Sequence, residues 1–243
     1  MRQTPKQQIR LVAVNIDGVL LNDTFSPVIH GFVERRGGRY TAEVERDVFS
    51  QPQETALRAL GRAAGLDRPV SELREAYFRE REVYLEGDPV RLLDGAVDLL
   101  LRLRSLGLRT ICYGGLDRSH FDRFLGAWSH LFDEPRYICT NGFRPGIAEI
   151  TVDLFGLGYD QVLFIDDVAR VAEEAKKLGV AFIGHPSGFE HGFQTAMMVE
   201  TGVRHLVGSL AEIDEALLGT VNAEAAAGTS WSGGSGRCST GAA

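Results

Sequence analysis

The chain has 243 residues, 44% of them hydrophobic and 24% charged, and its formal net charge at pH 7 is −7. This length and composition favour one domain with a subdomain, and the lack of a basic stripe argues against a nucleic-acid partner. No apolar run approaches the roughly 18 residues of a membrane span, so we expect no membrane segment.

The cysteines and the N-terminal sequence bear on the cellular compartment. The chain has three cysteines, Cys112, Cys139 and Cys238, and their spacing is not that of metal ligands. An odd number of cysteines favours a reducing environment. The first ten residues, MRQTPKQQIR, are polar and lack the apolar stretch of a signal peptide. We therefore expect a cytoplasmic protein.

Six short apolar segments are typical of strands that are buried on both faces of a parallel sheet. In chain order they are LVAVN (11–15), RTICY (109–113), YICT (137–140), VLFID (162–166), VAFIG (180–184) and HLVG (205–208). Helical patterns alternate with them, for example AVDLLLRLRSLG and VARVAEEAKKLG. Ser209 and Glu212 predict a capping box that starts a last helix, AEIDEALLG.

One region breaks this alternation. Residues 24–88 contain helical segments near 41–49, 53–65 and 70–85 and no convincing strand. We predict an α/β fold, a doubly wound parallel sheet formed by residues 1–23 and 89–219, with residues 24–88 as an all-helical cap over the mouth of the sheet. Residues 220–243 are rich in Gly, Ser and Ala and are predicted to be a flexible tail.

Polar side chains follow two of the predicted strands. Asn15 ends the first strand and Asp17 precedes a glycine turn, whereas Asp166 and Asp167 end the strand VLFID. The carboxyl ends of parallel strands meet at one edge of a sheet, where α/β folds place their ligands. Asp17, Asp166 and Asp167 are therefore candidate metal ligands, although an Asp at a strand–helix junction is also a common helix N-cap.

The order of these segments resembles the haloacid dehalogenase superfamily. The resemblance is carried by VLFIDDVARVAEEAKKLG, by LLDGAVDLLLRLRSLGLRTICY and by FRPGIAEITVDLFGLG. It implies a Rossmann-like core, Mg²⁺-dependent phosphatase chemistry and an Asp-x-Asp motif. The first Asp of that motif attacks phosphorus and the second is the general acid and base. Here the two positions are Asn15 and Asp17, and an amide cannot sustain the covalent step.

Other motif positions depart from the family pattern. Where the second motif has Ser or Thr, this chain has Tyr113, Gly114 and Gly115. The glycine N–H groups are expected to face an anion, and Tyr113 to fill space that the phosphate occupies in the family. Arg144 stands in the place of the usual Lys and keeps the positive charge. The resemblance thus makes Asn15 and Asp17 the catalytic positions and the other four residues the substrate-binding positions.

The leading hypothesis is a hydrolase-derived pseudoenzyme with weak or absent Mg²⁺ binding. It predicts that the chain binds a phosphorylated or acidic small molecule under the cap, or acts as a regulatory subunit of a protein partner. One alternative is an active Mg²⁺-dependent phosphohydrolase in which Asn15 is an engineered replacement of Asp. Another is altered chemistry in which Asp17 is acid or base without a covalent intermediate. Arg144 is expected either to bind the acidic end of the ligand or to pair with one of the aspartates.

Two further features have both a structural and a functional interpretation. Cys112 lies inside an apolar strand and is expected to be a small core residue rather than a nucleophile. The cap segment FSQPQETA occupies a position that helps to choose the substrate in capped relatives. Gln51 and Gln53 of this segment are expected either to contact a polar ligand or only to turn the chain and cap a helix.

Overall fold

The computed structural model describes residues 7–232. Its sheet has five parallel strands: β1 (Leu11–Asn15), β2 (Arg109–Gly114), β3 (Tyr137–Cys139), β4 (Val162–Asp166) and β5 (Ala181–Gly184). Their spatial order is β3-β2-β1-β4-β5, which confirms the predicted parallel sheet. The sixth strand, predicted at HLVG, is wrong, because this segment makes only a single bridge between Leu206 and Gly184.

Each face of the sheet has its own hydrophobic core. Every residue of β1 is buried, and successive side chains point to opposite faces. Leu11 and Ala13 pack in one core, and Val12 and Val14 pack in the other. Burial on both faces explains why the strands read as continuous apolar runs rather than as alternating patterns.

Four helices form the cap between β1 and β2. They are α1 (Ser26–Glu34), α2 (Ala42–Val48), α3 (Gln53–Ala63) and α4 (Val70–Gly87). The last three match the predicted helical segments, whereas α1 lies within the predicted cap but had no predicted helix. Its sequence, SPVIHGFVE, is short, and Pro27 near its N-terminus fits a helix start.

Five helices surround the sheet. They are α5 (Ala96–Ser105), α6 (Arg118–Leu125), α7 (Ala169–Leu178), α8 (Gln194–Thr201) and α9 (Glu215–Ala227). The predicted capping box of Ser209 and Glu212 is present, but it starts a 3₁₀ turn over Leu210–Glu212. The α9 helix starts later, where the Asp214 carboxylate accepts from the backbone N–H of Leu217. None of the helices in the described residues is long and apolar enough to cross a bilayer.

The predicted tail is wrong over its first part. Helix α9 continues to Ala227, and Trp231, four residues further on, is hydrogen-bonded to the chain beside β5. The indole Nε1 of Trp231 donates to the carbonyl of Val180 at 2.7 Å, and its ring lies 6.2 Å from that of Phe182. The rest of the predicted tail, with Cys238, lies outside the described residues.

Helix α2 joins the cap to the core through one buried carboxylate. Glu45 is 0% exposed and accepts a hydrogen bond from the Tyr40 hydroxyl at 2.7 Å. From the core it accepts the Phe193 backbone N–H at 3.0 Å and the Gln194 side-chain amide at 2.9 Å. The side-chain carbonyl oxygen of Gln194 in turn accepts from the backbone N–H of Ala169, the first residue of α7. The cap is thus tied to the helix that follows Asp166 and Asp167.

Candidate functional site

Asn15 occupies the end of β1 with its amide fully engaged as a donor. It is 7% exposed. Its Nδ2 donates to the backbone carbonyl of Asp17 at 2.7 Å and to Asp167 Oδ1 at 2.8 Å. Two N–H groups with two acceptors fix the orientation of the amide, so that the remaining Oδ1 is a neutral acceptor. This group binds through hydrogen bonds and cannot act as a carboxylate nucleophile.

Tyr113 lies beneath the site rather than in it. It is 2% exposed, and its hydroxyl donates to Asp166 Oδ2. Because β1 lies between β2 and β4, the Tyr113 side chain spans β1 to reach Asp166. The expectation that Tyr113 fills the ligand space is wrong, since it does not line the cavity described below. Its long side chain reaches another polar group within the fold.

The two aspartates at the end of β4 are both buried but play different parts. Asp166 Oδ1 accepts from the N–H of Val168 at 2.8 Å, so both of its oxygens are engaged. Burial raises the pKa of Asp166 to about 6 and raises that of Asp167 well above its usual range. Only Asp167 lines the cavity.

Gly18 has no side chain and so leaves space for the Asp167 carboxylate. A Cβ on Gly18 would lie 2.1 Å from Asp167 Oδ2, and the backbone φ of +87° is itself in the glycine-favouring region. The buried ring of His185 supports the same turn, because its Nδ1 donates to the Gly18 carbonyl at 3.0 Å. The glycine after Asp17 is therefore required both by the turn and by the neighbouring carboxylate.

His120 is a site residue that sequence reasoning missed. Its Nε2 lies 2.9 Å from Asp17 Oδ1, and the two side chains are 10% and 13% exposed. A carboxylate only accepts, so the ring nitrogen donates. His120 lies in the first turn of α6, directly after β2. Its place after a strand adjacent to β1 was the available signal, because elements that follow neighbouring parallel strands meet at one edge.

The predicted Mg²⁺ ligands do not fit the ion in this arrangement. Each of Asp17, Asp166 and Asp167 already accepts a hydrogen bond from a neighbouring side chain. Asn15 presents N–H donors, not oxygen, towards Asp167, whereas Mg²⁺ requires oxygen ligands in octahedral geometry. Across residues 7–232 no group of three or more His, Cys, Asp or Glu side chains is placed to hold a metal.

Cys112 is a core residue. It is 0% exposed inside β2, and burial raises its pKa well above the usual thiol range. A thiol that stays protonated and has no access to solvent is a poor nucleophile. Gly114, next but one along the strand, is also a packing residue, since a Cβ there would lie 2.4 Å from Ile16 Cγ2.

Arg144 and Gly115 form the cationic part of the site. A Cβ on Gly115 would lie 2.8–3.1 Å from the Arg144 guanidinium, so a larger residue there would force this side chain to move. Arg144 Nε donates to Thr140 Oγ1 at 3.4 Å. Among the salt bridges of residues 7–232, none involves Arg144. The expectation that it pairs with one of the aspartates is not met here.

A cavity of about 140 Å³ separates the core edge from the cap. On the core side it is lined by Asn15, Asp17, Gly115, Arg144 and Asp167. The cap side is mostly apolar, with Phe25, Ile29, Val48, Phe49, Leu57, Leu60 and Phe78 on its wall. The cavity therefore combines one polar end with a hydrophobic body, which is the usual character of a small-molecule site.

The segment between α2 and α3 forms part of this wall. Gln51 and Gln53 both line the cavity, and the backbone N–H of Gln53 donates to Asn141 Oδ1 of the core at 3.2 Å. Ser50 is buried with a φ of 51°, a conformation that costs a non-glycine residue free energy and that clusters at functional sites. The segment thus contacts the core and the cavity at once.

No protein-family model and no curated protein matches this chain, but solved structures match it. A predicted phosphoglycolate phosphatase from Haemophilus somnus has 19% identity and a TM-score of 0.60, covering 86% of this chain and 97% of its own. A HAD family hydrolase from Deinococcus radiodurans, solved with bound phosphate and sodium, has 18% identity and a TM-score of 0.60, with 89% and 97% covered.

A hydrolase from Pseudomonas syringae is similar at 17% identity and a TM-score of 0.60, covering 85% of this chain and all of its own. The structural neighbours are thus haloacid dehalogenase-like hydrolases over most of the chain. They confirm the fold that the resemblance implied, a Rossmann-like α/β core with a helical cap.

Proposed function

We propose that this chain binds a small acidic metabolite between its core and its cap, and that it has lost aspartyl-phosphate chemistry. The observation that carries the binding proposal is Arg144. A guanidinium that lines a cavity without an ion pair is an anion site ready for a carboxylate or phosphate. Gly115 supports this role, because its missing side chain leaves the space in which the guanidinium lies.

The loss of hydrolysis is supported by three engaged groups. The Asn15 amide is held as a donor, Tyr113 holds Asp166, and Asp17 pairs with His120. Phosphoryl transfer by a carboxylate requires an ionised nucleophile and neutralisation of the phosphate charge. Here Asn15 at the nucleophile position is neutral. The carboxylates predicted to bind a metal accept hydrogen bonds from protein side chains.

Arg144 at one end of the cavity favours a ligand with an acid group. The apolar cap wall favours a ligand whose body is hydrophobic. A phosphate or a carboxylate satisfies a guanidinium equally well in geometry. The structural neighbour with bound phosphate supports an anion in this fold, although the Asp17 carboxylate on the same edge opposes high negative charge. A monoanionic carboxylate with an apolar body fits both conditions.

Binding is tested by thermal shift and calorimetry with phosphoglycolate and with the straight-chain acids from butanoate to octanoate. We expect at least one of these probes to stabilise the wild type. Arg144→Ala should weaken its binding by about tenfold or more, because a charge-assisted hydrogen bond is lost. The unliganded variant should melt close to the wild type, since no ion pair is removed.

Arg74→Ala is the matched control, because Arg74 is exposed on helix α4 and does not line the cavity. This variant should bind the same probe as the wild type does. If no probe stabilises the wild type and Arg144→Ala melts lower, Arg144 has a structural role and the binding proposal is wrong.

A second candidate function rests on the pair of Asp17 and His120. The pair reaches the cavity through Asp17, so that a proton can move between bound molecule and side chain without a covalent intermediate. Turnover of a bound acid that is abolished by Asp17→Asn, with its binding retained, would establish this chemistry. If the wild type binds the acid but does not turn it over, the pair of Asp17 and His120 has only a structural role.

A further inference from the structure

Two residues that line the cavity each carry a buried polar atom without a hydrogen-bond partner. Asp23 and Tyr77 both line the cavity. Asp23 Oδ2 and the Tyr77 hydroxyl are among five buried side-chain atoms of residues 7–232 that lack a hydrogen-bond partner. Such atoms are rare in native proteins because they lose hydration without compensation. Two of them at one cavity indicate that a group from outside the chain completes their hydrogen bonding.

The two side chains are held in place by their other contacts. Asp23 Oδ1 accepts from the backbone N–H groups of Phe25 and Ser26, both at 2.9 Å, at the start of α1. Tyr77 is 6% exposed on α4, and its ring makes an edge contact with Phe78 at 5.3 Å. Because both residues are anchored, their unpaired atoms form a fixed pattern of one acceptor and one hydroxyl.

Charges of both signs lie near Tyr77. Arg81 lies one helical turn further along α4, is 8% exposed, and donates to Thr24 Oγ1 at 2.8 Å. Burial raises the pKa of Tyr77, an effect that Arg81 opposes and that Asp23 and Asp17 reinforce, so charges of both signs lie near the phenol. The phenol stays protonated and is available as donor and acceptor. A region that already holds both signs of charge favours a neutral polar group over a further ion.

The geometry points to a hydroxyl-binding subsite at Asp23 and Tyr77, so that the ligand is a small organic acid with a hydroxyl remote from its acidic group. One hydroxyl donates to Asp23 Oδ2 and accepts from the Tyr77 hydroxyl, which completes both atoms at once. The apolar wall between this subsite and Arg144 faces the carbon chain of the ligand. The inference rests on the proposed binding of the acid at Arg144.

The test compares three sets of compounds with equal chain lengths, from butanoate to octanoate: plain acids, acids with a terminal hydroxyl and acids with a terminal ammonium. Affinities are measured by calorimetry on the full chain. At one chain length we expect the hydroxy acid to bind about tenfold more tightly than the plain acid, because it satisfies two buried atoms. The acid of that length with a terminal ammonium should show a smaller gain in affinity over the plain acid.

Two variants assign that gain to the subsite. Tyr77→Phe removes only an unpaired hydroxyl, and Asp23→Asn keeps an oxygen for the start of α1, so both should fold. Each should remove most of the gain from the hydroxyl while the plain acid still binds. If plain acids bind but the hydroxyl adds nothing at any length, or the ammonium adds more, the subsite assignment is wrong and the proposed function stands. If neither these compounds nor phosphoglycolate binds, the proposed function itself fails.

Discussion

Replacing Glu45 by alanine is expected to loosen the cap from the core and to destabilise the whole chain. The carboxylate is fully buried and accepts from Tyr40, Phe193 and Gln194, of which the last two belong to the core. Its removal leaves three donors without an acceptor. Each unpaired buried donor costs about 1–3 kcal/mol, and water that enters the vacated space recovers part of this cost. We therefore expect a loss of about 2–5 kcal/mol in the free energy of unfolding.

Urea unfolding followed by circular dichroism measures this loss, and hydrogen exchange of the α2 amides reports whether the cap opens first. Glu43→Ala is the matched control, because Glu43 is exposed on the same helix and should change stability by no more than about 0.5 kcal/mol. If Glu45→Ala unfolds within that margin of the wild type, the carboxylate does not hold the cap and the reasoning is refuted.

The same carboxylate predicts a pH dependence. Burial raises the pKa of Glu45 above its usual range, so between the usual pKa and the folded-state pKa the folded protein binds more protons than the unfolded chain. Stability then falls as the pH rises through that window. The stability advantage of the wild type over Glu45→Gln should be largest below the usual glutamate pKa and shrink above it. An advantage that grows with pH would contradict this sign.

Three further substitutions test the site itself. Asn15→Asp should leave the hydrolysis of p-nitrophenyl phosphate near background, because Tyr113 still holds Asp166; a vigorous phosphatase would instead show that Asn15 replaces a native Asp. Tyr113→Phe should lower the free energy of unfolding by about 1–3 kcal/mol, since Asp166 loses a buried donor, and an unchanged urea midpoint would contradict this. Gly18→Ala should be destabilising by a similar amount, about 1–3 kcal/mol, from its positive φ and its clash with Asp167; thermal unfolding at the wild-type temperature would argue against that clash.

The sheet and most of the cap could be predicted because their signals are local. Strands buried on both faces must be apolar throughout, and β1 and β4 were predicted with the bounds that the structure shows. Helix α1 was missed because its sequence, SPVIHGFVE, contains a glycine and three β-branched residues, which have low helix propensity. The tail was misjudged because its composition is that of a linker, whereas α9 is stabilised by packing of Leu218 and Val221 against the core.

The sequence predicted where the site lies, but it did not predict the hydrogen bonds between the side chains of the site. The edge at which Asn15, Asp17, Asp166 and Asp167 meet follows from strand order, and the sequence contains that information. The partner of each side chain depends on rotamers and on distances across the sheet, as with the hydrogen bond from Tyr113 to Asp166. The pairing of His120 with Asp17 joins residues separated by 103 positions, and no local pattern encodes it.

The contact of Trp231 with the sheet has a consequence for the behaviour of the protein in solution. Strand β5 lies at one edge of the sheet, and the outer edge of any strand is a template on which another chain can pair. Trp231 occupies the backbone carbonyl of Val180, next to the first residue of β5, and its ring covers Phe182. The bridge from Gly184 to Leu206 covers the other end of the strand. Trp231 thus helps to shield this edge of the sheet against edge-to-edge aggregation, although the composition around it is that of a dispensable linker.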